Sequence, residues 1–269
     1  MKSDIAFGQY VEGNSLIHRL DPRAKIIIAL LYIVIIFLAK SASAFILLTA
    51  AALAFVKMTG ISPKLILRSL RPLLFIILFT AVINIFWMTG DTLLLQLGPV
   101  KIYLEGIINA VLIVLRIMLL ITATSVFMTY TTTPLALTDG LERLMRPLQK
   151  FHFPAHELAM MMTIALRFIP TLLEETDKIQ KAQMARGADF ESGNLIARAK
   201  AMIPLLVPLF VSAFRRANDL AMAMEARCYR GGDHRTRLRE LKYTKLDLYG
   251  ALAMAAYIAL IVVEGRLLG

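Results

Sequence analysis

Five apolar runs set the pattern of this chain: Ile26–Ala39, Ala42–Val56, Leu73–Met88, Ile107–Phe127 and Leu246–Val263. Segments rich in Lys and Arg separate the second run from the third and the fourth from the fifth. A helix that crosses a bilayer takes about 20 apolar residues, within a range of about 17–25. The fourth and fifth runs reach that length with their flanks. The first two are short, about 14 and 15 residues, or roughly 21–23 Å at 1.5 Å per residue. Fused, they would make a helix of about 46 Å, far longer than the ~30 Å hydrocarbon core. Lys40 and the small residues Ser41-Ala42-Ser43 stand where a tight reversal is needed, so the pattern predicts a helical hairpin. Lys25, the first run and Ala42-Ser43-Ala44 also imitate a signal peptide with its cleavage site. A 25-residue leading segment of mixed charge and a second apolar run directly behind it argue against cleavage.

Between the fourth and fifth runs lie well over 100 residues, more than a simple connection requires. Within Leu158–Gln183, the residues Leu158, Met161, Met162, Ala165, Leu166 and Ile169 recur at helical spacing, with Arg167, Glu174, Glu175, Asp177, Lys178 and Lys181 filling much of the rest. Pro170 is expected to kink or divide this helix. Ala201–Met224 opens apolar (Ile203, Leu205, Leu206, Val207, Leu209, Phe210) and turns charged at Arg215-Arg216, with Pro204 and Pro208 expected in an opening turn or a kink. A sixth span over Ala201–Phe214 would put Arg227, Arg230, Arg235, Arg237 and Arg239 on the outer side, against the charge rule. The stretch reads instead as a helix lying on the membrane face or on its own bundle. The methionines Met160, Met161, Met162, Met184, Met202, Met222 and Met224 suit an adaptable apolar surface, although ordinary core packing is expected for most of them.

Composition narrows the class. Of 269 residues, 58% are apolar and 18% charged, whereas soluble domains run at about 45–50% and about 25%. The mean hydropathy is +0.67. Disorder is excluded by the apolar content, and a disulfide scaffold by the single Cys228. The net charge is +11. Nucleic-acid binding would need a soluble basic face with base-stacking aromatics; here the basic blocks alternate with apolar runs, as the positive-inside rule describes. The reading is an all-α integral membrane protein with about five transmembrane helices and a large cytoplasmic helical module between the fourth and fifth. Residues 1–133 form a membrane domain with a cytoplasmic N-terminus and four spans, 134–244 the module, and 245–269 the last span. Lys40, the sparsely charged 89–106 loop and the C-terminus then face outward. Arg116 falls inside the fourth span, where a charge is expensive. It is a candidate buried membrane anchor for a partner or a neighbouring helix, or else a structural arginine bonding a carbonyl of the bundle.

Two short motifs end the predicted helices of the module. The first is Ala185-Arg186-Gly187 and the second Ala226-Arg227-Cys228, followed by Tyr229-Arg230-Gly231-Gly232. Ala197-Arg198 is a third Ala-Arg pair, so the dipeptide alone means little. The two motifs differ from it by following an amphipathic helix and preceding Gly or a Gly pair, a helix-stop signal. An Arg in the last turn complements the helix dipole. It also carries a planar fork of donors suited to a partner's carboxylate or helix-end carbonyls.

Taken in order, these residues resemble the transmembrane (T) component of energy-coupling-factor (ECF) transporters. The resemblance covers nearly the whole chain. It begins at His18-Arg19-Leu20-Asp21-Pro22-Arg23-Ala24-Lys25, continues through Thr131-Thr132-Thr133-Pro134 and Leu166-Arg167-Phe168-Ile169-Pro170, and is sharpest at the two Ala-Arg motifs. It implies a scaffold without chemistry of its own, in a prokaryotic cell membrane. Two cytosolic ABC ATPase subunits would carry ATP and Mg, a membrane S component would bind the substrate, and this chain would hold no cofactor or metal. By the same resemblance Ala185, Arg186 and Gly187 dock on one ATPase and Ala226, Arg227 and Cys228 on the other. Cys228 stands where the family's usual residue is Gly; a small residue still fits that place, although it could loosen the turn.

Other classes find less support. The chain has no G-x-x-x-x-G-K-[ST] loop, so ATP must be bound elsewhere. His152 and His156 stand four apart, a spacing that can present two metal ligands on a helical face. Pro154 intervenes, however, and neither H-E-x-x-H nor G-x-S-x-G occurs, so a membrane enzyme is disfavoured. The residues His156 and Glu157 read as a solvated first helical turn. A self-sufficient channel or secondary transporter would show internal repeats or clustered midplane polar groups; only Asn84, Asn109 and Arg116 lie deep in spans. A T component dedicated to cobalt or nickel is the nearer alternative to one serving a vitamin or similar micronutrient.

Overall fold

A computed structural model describes residues 10–39, 41–97, 100–190, 194–231 and 241–268. Lys40, Gly232, His234, Arg235, Arg237 and Arg239, used above as loop features, lie outside the described residues. The chain divides into two compact units, Met1–Arg143 with Arg239–Gly269, and Leu144–Leu238.

In the first unit the predicted hairpin forms. Helix α1 (Pro22–Leu38) starts behind Asp21, whose carboxylate accepts from the Arg23 amide, with Pro22 at the first helical position. Helix α2 (Ala42–Thr59) starts behind Ser41, whose hydroxyl accepts from the Ala44 amide, and stops at Gly60 with φ +70°. The two helices have 17 and 18 residues, about 26–27 Å each, close to the hydrocarbon thickness.

Next come α3 (Pro63–Leu70), a 3₁₀ turn over Arg71–Leu73 and α4 (Leu74–Trp87). The sequence reading treats residues 57–72 as a connection, yet the helical path reaches back to Pro63. Pro72 lacks the amide that would continue the α ladder, which accounts for the tighter turn there. Two strands not foreseen from the sequence follow, β1 (Leu93–Leu97) antiparallel to β2 (Val100–Tyr103). Helix α5 (Leu104–Thr124) ends in a π-helical turn over Ser125–Tyr130. Gly106 lets it close on α4, because a Cβ there would come within 3.2 Å of the Ile85 carbonyl oxygen. Helix α6 (Pro134–Met145) follows; α9 (Lys245–Leu268) completes the unit.

The core of this unit gathers on α1, α2 and the end of α5. Tyr32, Ile36, Phe45, Leu48, Phe127 and Tyr130 are all buried. The Tyr32 hydroxyl donates to the Leu48 carbonyl at 2.7 Å, so the deepest polar group is satisfied. Arg116, on α5, donates from Nη2 to the Ala39 carbonyl at 3.0 Å and has its guanidinium carbon 5.4 Å from the centre of the Phe45 ring. It thereby satisfies one of the orphan carbonyls at the end of α1.

The second unit contains α7 (Ala155–Ala185) and α8 (Leu195–Ala226). Neither is divided: Pro170 lies inside α7, and Pro204 and Pro208 lie inside α8. On their facing sides, Arg216 Nη2 donates to Glu175 Oε2 at 2.9 Å.

Among the described residues, five helical segments are long and apolar enough to cross a membrane: Ala42–Thr59, Pro63–Trp87, Leu104–Tyr130, Ala155–Ala185 and Lys245–Arg266. Four match predicted runs. The fifth is α7, which the sequence reading places in the cytoplasmic stretch. Its front half explains this, since residues 155–172 carry only Glu157 and Arg167 as charges while the back half carries most of them. The remaining predicted run is α1, whose 17 residues fall at the lower edge of the spanning range. The chain is an all-α, multi-pass membrane protein.

Candidate functional site

Both motifs singled out in the sequence sit at helix C-termini of the second unit, and both build the same backbone turn. In α7 the C-cap is Arg186. The Gly187 amide donates to the Met184 carbonyl at 2.9 Å and the Ala188 amide to the Gln183 carbonyl at 3.0 Å. In α8 the corresponding bonds run from Cys228 to Glu225 at 2.8 Å and from Tyr229 to Met224 at 3.0 Å. These paired bonds define a Schellman cap, which satisfies the last carbonyls of a helix. They put Arg186 and Arg227 at equivalent places, with Gly187 and Cys228 next in the left-handed position at φ +91° and +56°.

Cys228 therefore holds a conformation that normally selects glycine. A small residue fits there, as expected, and the turn is not loosened: its two closing bonds are as short as those at Gly187. Ala185, Arg186, Gly187, Ala226, Arg227 and Cys228 are all exposed. Among the described residues, neither guanidinium makes a hydrogen bond or ion pair, so each retains its full set of donors. Ala197-Arg198 differs in place as well as in context: it falls in the first turn of α8, where no carbonyl awaits a cap.

Elsewhere on α7 and α8 much of the exposed surface is apolar. Met161, Met162, Met184, Met202 and Met222 are exposed, and Met160 and Met224 half-buried. Core packing, expected for most of these methionines, is not what the chain alone provides. Along α8, Ile203, Leu206, Val207, Phe210, Val211 and Phe214 are exposed too, with only Leu205 buried. Contiguous apolar exposure of this kind marks a surface made for a partner or a membrane.

His152 and His156 do not share a helical face. His152 is the left-handed cap of the 3₁₀ turn Arg146–Phe151, and α7 begins three residues later at Ala155. His156 and Glu157 lie in the first turn of α7, as the sequence suggests.

A polar cluster that the sequence reading does not single out as a site lies at the start of α1. Asp21 is bridged by Arg23 Nε and Nη2 at 3.0 and 2.9 Å, and its own amide donates to Asp247 Oδ1 at 2.7 Å. Burial acts to raise the Asp21 pKa, but the bonds and charge of Arg23, with the charge of Arg143, outweigh it and hold the carboxyl below its ordinary value. The signal available in sequence was the Asp-Pro start of a helix; the pairing with a residue 226 positions away was not.

Comparison with known proteins places the chain in a family. The family model described as "Cobalt transport protein" (CbiQ) matches residues 13–238. A protein of Thermosediminibacter oceani named "Energy-coupling factor transporter transmembrane protein EcfT" is 53% identical over 250 residues, covering 93% of this chain and 94% of that protein. Proteins of the same name from Clostridium kluyveri and Bacillus subtilis are 53% identical over 254 residues and 46% identical over 261; these alignments cover 94% and 97% of this chain and 93% and 98% of the respective relatives. With the membrane helices, the twin caps and relatives aligned from end to end, the chain belongs to the EcfT family of transmembrane proteins of energy-coupling factor transporters.

Proposed function

We propose that this chain is the non-catalytic coupling subunit of an ATP-driven importer, gripping one cytosolic ATPase through Arg186 and a second through Arg227. The observation that carries the reading is the duplication: two long helices of one unit end in the same hydrogen-bonded cap, and each presents an exposed, unengaged arginine at the same position. A guanidinium fork so placed suits a carboxylate or the carbonyl end of a helix in a partner's groove. Ala185 and Ala226 before it, and Gly187 and Cys228 behind it, are small enough to let a partner's backbone approach closely.

On this reading ATP and Mg belong to the partner ATPases, since the chain has no phosphate-binding loop. The apolar faces of α7 and α8 meet the bilayer surface and a substrate-binding membrane S component. Residues 134–244 act as the coupling module, with the N-terminus on the cytoplasmic side and the C-terminus outside, following the concentration of 18 of the 30 Lys and Arg in residues 129–245. ATP-driven movement of the two grips would tip the S component and release substrate inside.

The cargo is a vitamin or similar micronutrient chosen by the S component. A second reading, a subunit dedicated to cobalt or nickel, draws on the description of the matching family model. Reconstituting the chain with its ATPases and S component in liposomes, and following ATP-driven uptake, tests the function. Uptake should need all partners and fall at least about tenfold in Arg186→Ala,Arg227→Ala. Uptake unaffected by the double substitution would sink the proposal.

A further inference from the structure

The chain passes out of the first unit at two places, after Arg143 and before Arg239. Both adjoining segments are fastened to one turn of one helix, Asp21–Lys25 at the start of α1. On the first side, α6 packs on that turn through Gly140, where a Cβ would stand 3.1 Å from Pro22 Cβ and 3.2 Å from Ile26 Cδ1. Lys25 Nζ, itself buried, donates to the carbonyl of Thr131 at 2.6 Å, three residues before α6 begins. On the second side, Arg23 Nη2 donates to the Leu241 carbonyl at 3.1 Å, and its guanidinium carbon lies 3.9 Å above the centre of the Tyr243 ring. Asp247 closes the arrangement: Oδ1 accepts from the Asp21 amide, and Oδ2 accepts from the amide and hydroxyl of Thr244 at 2.7 and 2.8 Å.

Elsewhere the helices of this unit meet mainly through apolar side chains, and packed apolar helices can shear past one another by small amounts. A network of short, directional bonds to carbonyls and carboxylates has one satisfied geometry instead. Such a network at both exits fixes register where any displacement must enter the membrane helices.

We propose that the first turn of α1 is the anchorage through which movement of the second unit is delivered to the membrane helices, with Asp21 and Arg23 as its positioning residues. This rests on the coupling function proposed above. The test uses the whole complex in liposomes and compares wild type with Arg23→Ala, Arg23→Lys and Gly140→Ala, recording bound ATPases, ATP hydrolysis and substrate taken up per ATP. In Arg23→Ala the ATPases stay bound and hydrolysis continues, while uptake per ATP falls about tenfold, inside the usual range of coupling effects. Arg23→Lys recovers only part of the loss, because an ammonium cannot bridge Asp21 and reach the Leu241 carbonyl as a planar fork does. Gly140→Ala inserts a single methyl at the other exit and lowers uptake per ATP about threefold with hydrolysis intact. If Arg23→Ala does not assemble, Gly140→Ala alone decides. Unchanged uptake per ATP in an assembled Arg23→Ala or Gly140→Ala complex overturns the anchorage. So does a parallel fall in hydrolysis and uptake, since that is lost folding and not lost coupling. Failure of the wild-type chain to bind ATPases at all would instead remove the coupling function itself.

Discussion

Cys228 and Gly187 occupy the same backbone position in two helices, and only one of them carries a Cβ. Left-handed φ costs a residue with a side chain roughly 1 kcal/mol relative to glycine. Cys228→Gly should therefore raise the stability of the α8 end by up to about 1 kcal/mol, and Gly187→Ala should lower that of α7 by about as much. Hydrogen exchange of the Tyr229 and Ala188 amides, which close the two caps, reads both effects locally; equal protection changes of the same sign would contradict the assignment. Asp21 gives a second test at this scale. Its carboxyl is held below the ordinary aspartate value, so its contribution is complete above about pH 4 and is lost as pH falls through the lower folded-state value. The gap in melting temperature between wild type and Asp21→Asn should stay level from about pH 7 to about pH 5 and close in stronger acid. A gap that widens on acidification would show that the carboxylate is not the stabilising form.

At the scale of elements, the α7–α8 pairing depends little on its ion pair. Arg216 and Glu175 are 39% and 23% exposed, so a double-mutant cycle with alanines should return a coupling of about 0.2–1 kcal/mol. A much larger value would mean the pair and not the packing holds the helices together. The same helices show what a sequence discloses. Their apolar spacing announced α7 and α8, and Gly187 announced where α7 stops. Pro170 pointed to a kink or a division and Pro204 and Pro208 to an opening turn or a kink; neither helix is divided, and all three prolines lie inside. Proline removes one ladder bond and crowds one carbonyl, a local cost that a long helix absorbs through its neighbouring turns. The pair of β1 and β2 went unread because its strands are short and follow a predicted span, although Gly98-Pro99 between runs of β-formers was the available signal. The separation of α1 from α2 was legible because the two apolar runs, fused, would be too long for one span and small residues lie between them. The Asp21–Asp247 bond was not legible, because nothing local marks partners from opposite ends of a chain.

For the whole molecule, 28 of the described apolar residues are buried, and those of the membrane unit cluster where α1, α2 and the end of α5 meet. The second unit keeps its apolar residues mostly outside. A unit built that way is completed by what it binds, which fits the family's place in a transporter complex. The central claim is that two arginines, alike in their caps, hold the ATPases. Quantitative co-purification of the ATPase subunits with Arg186→Ala, Arg227→Ala and the double variant tests it most directly, with helix content checked by circular dichroism. Each single substitution should weaken binding by on the order of 2 kcal/mol, roughly 30-fold, and the double should leave a folded chain without ATPases. Full recovery of both ATPases by the folded double variant would contradict the account and reduce the motifs to helix stops.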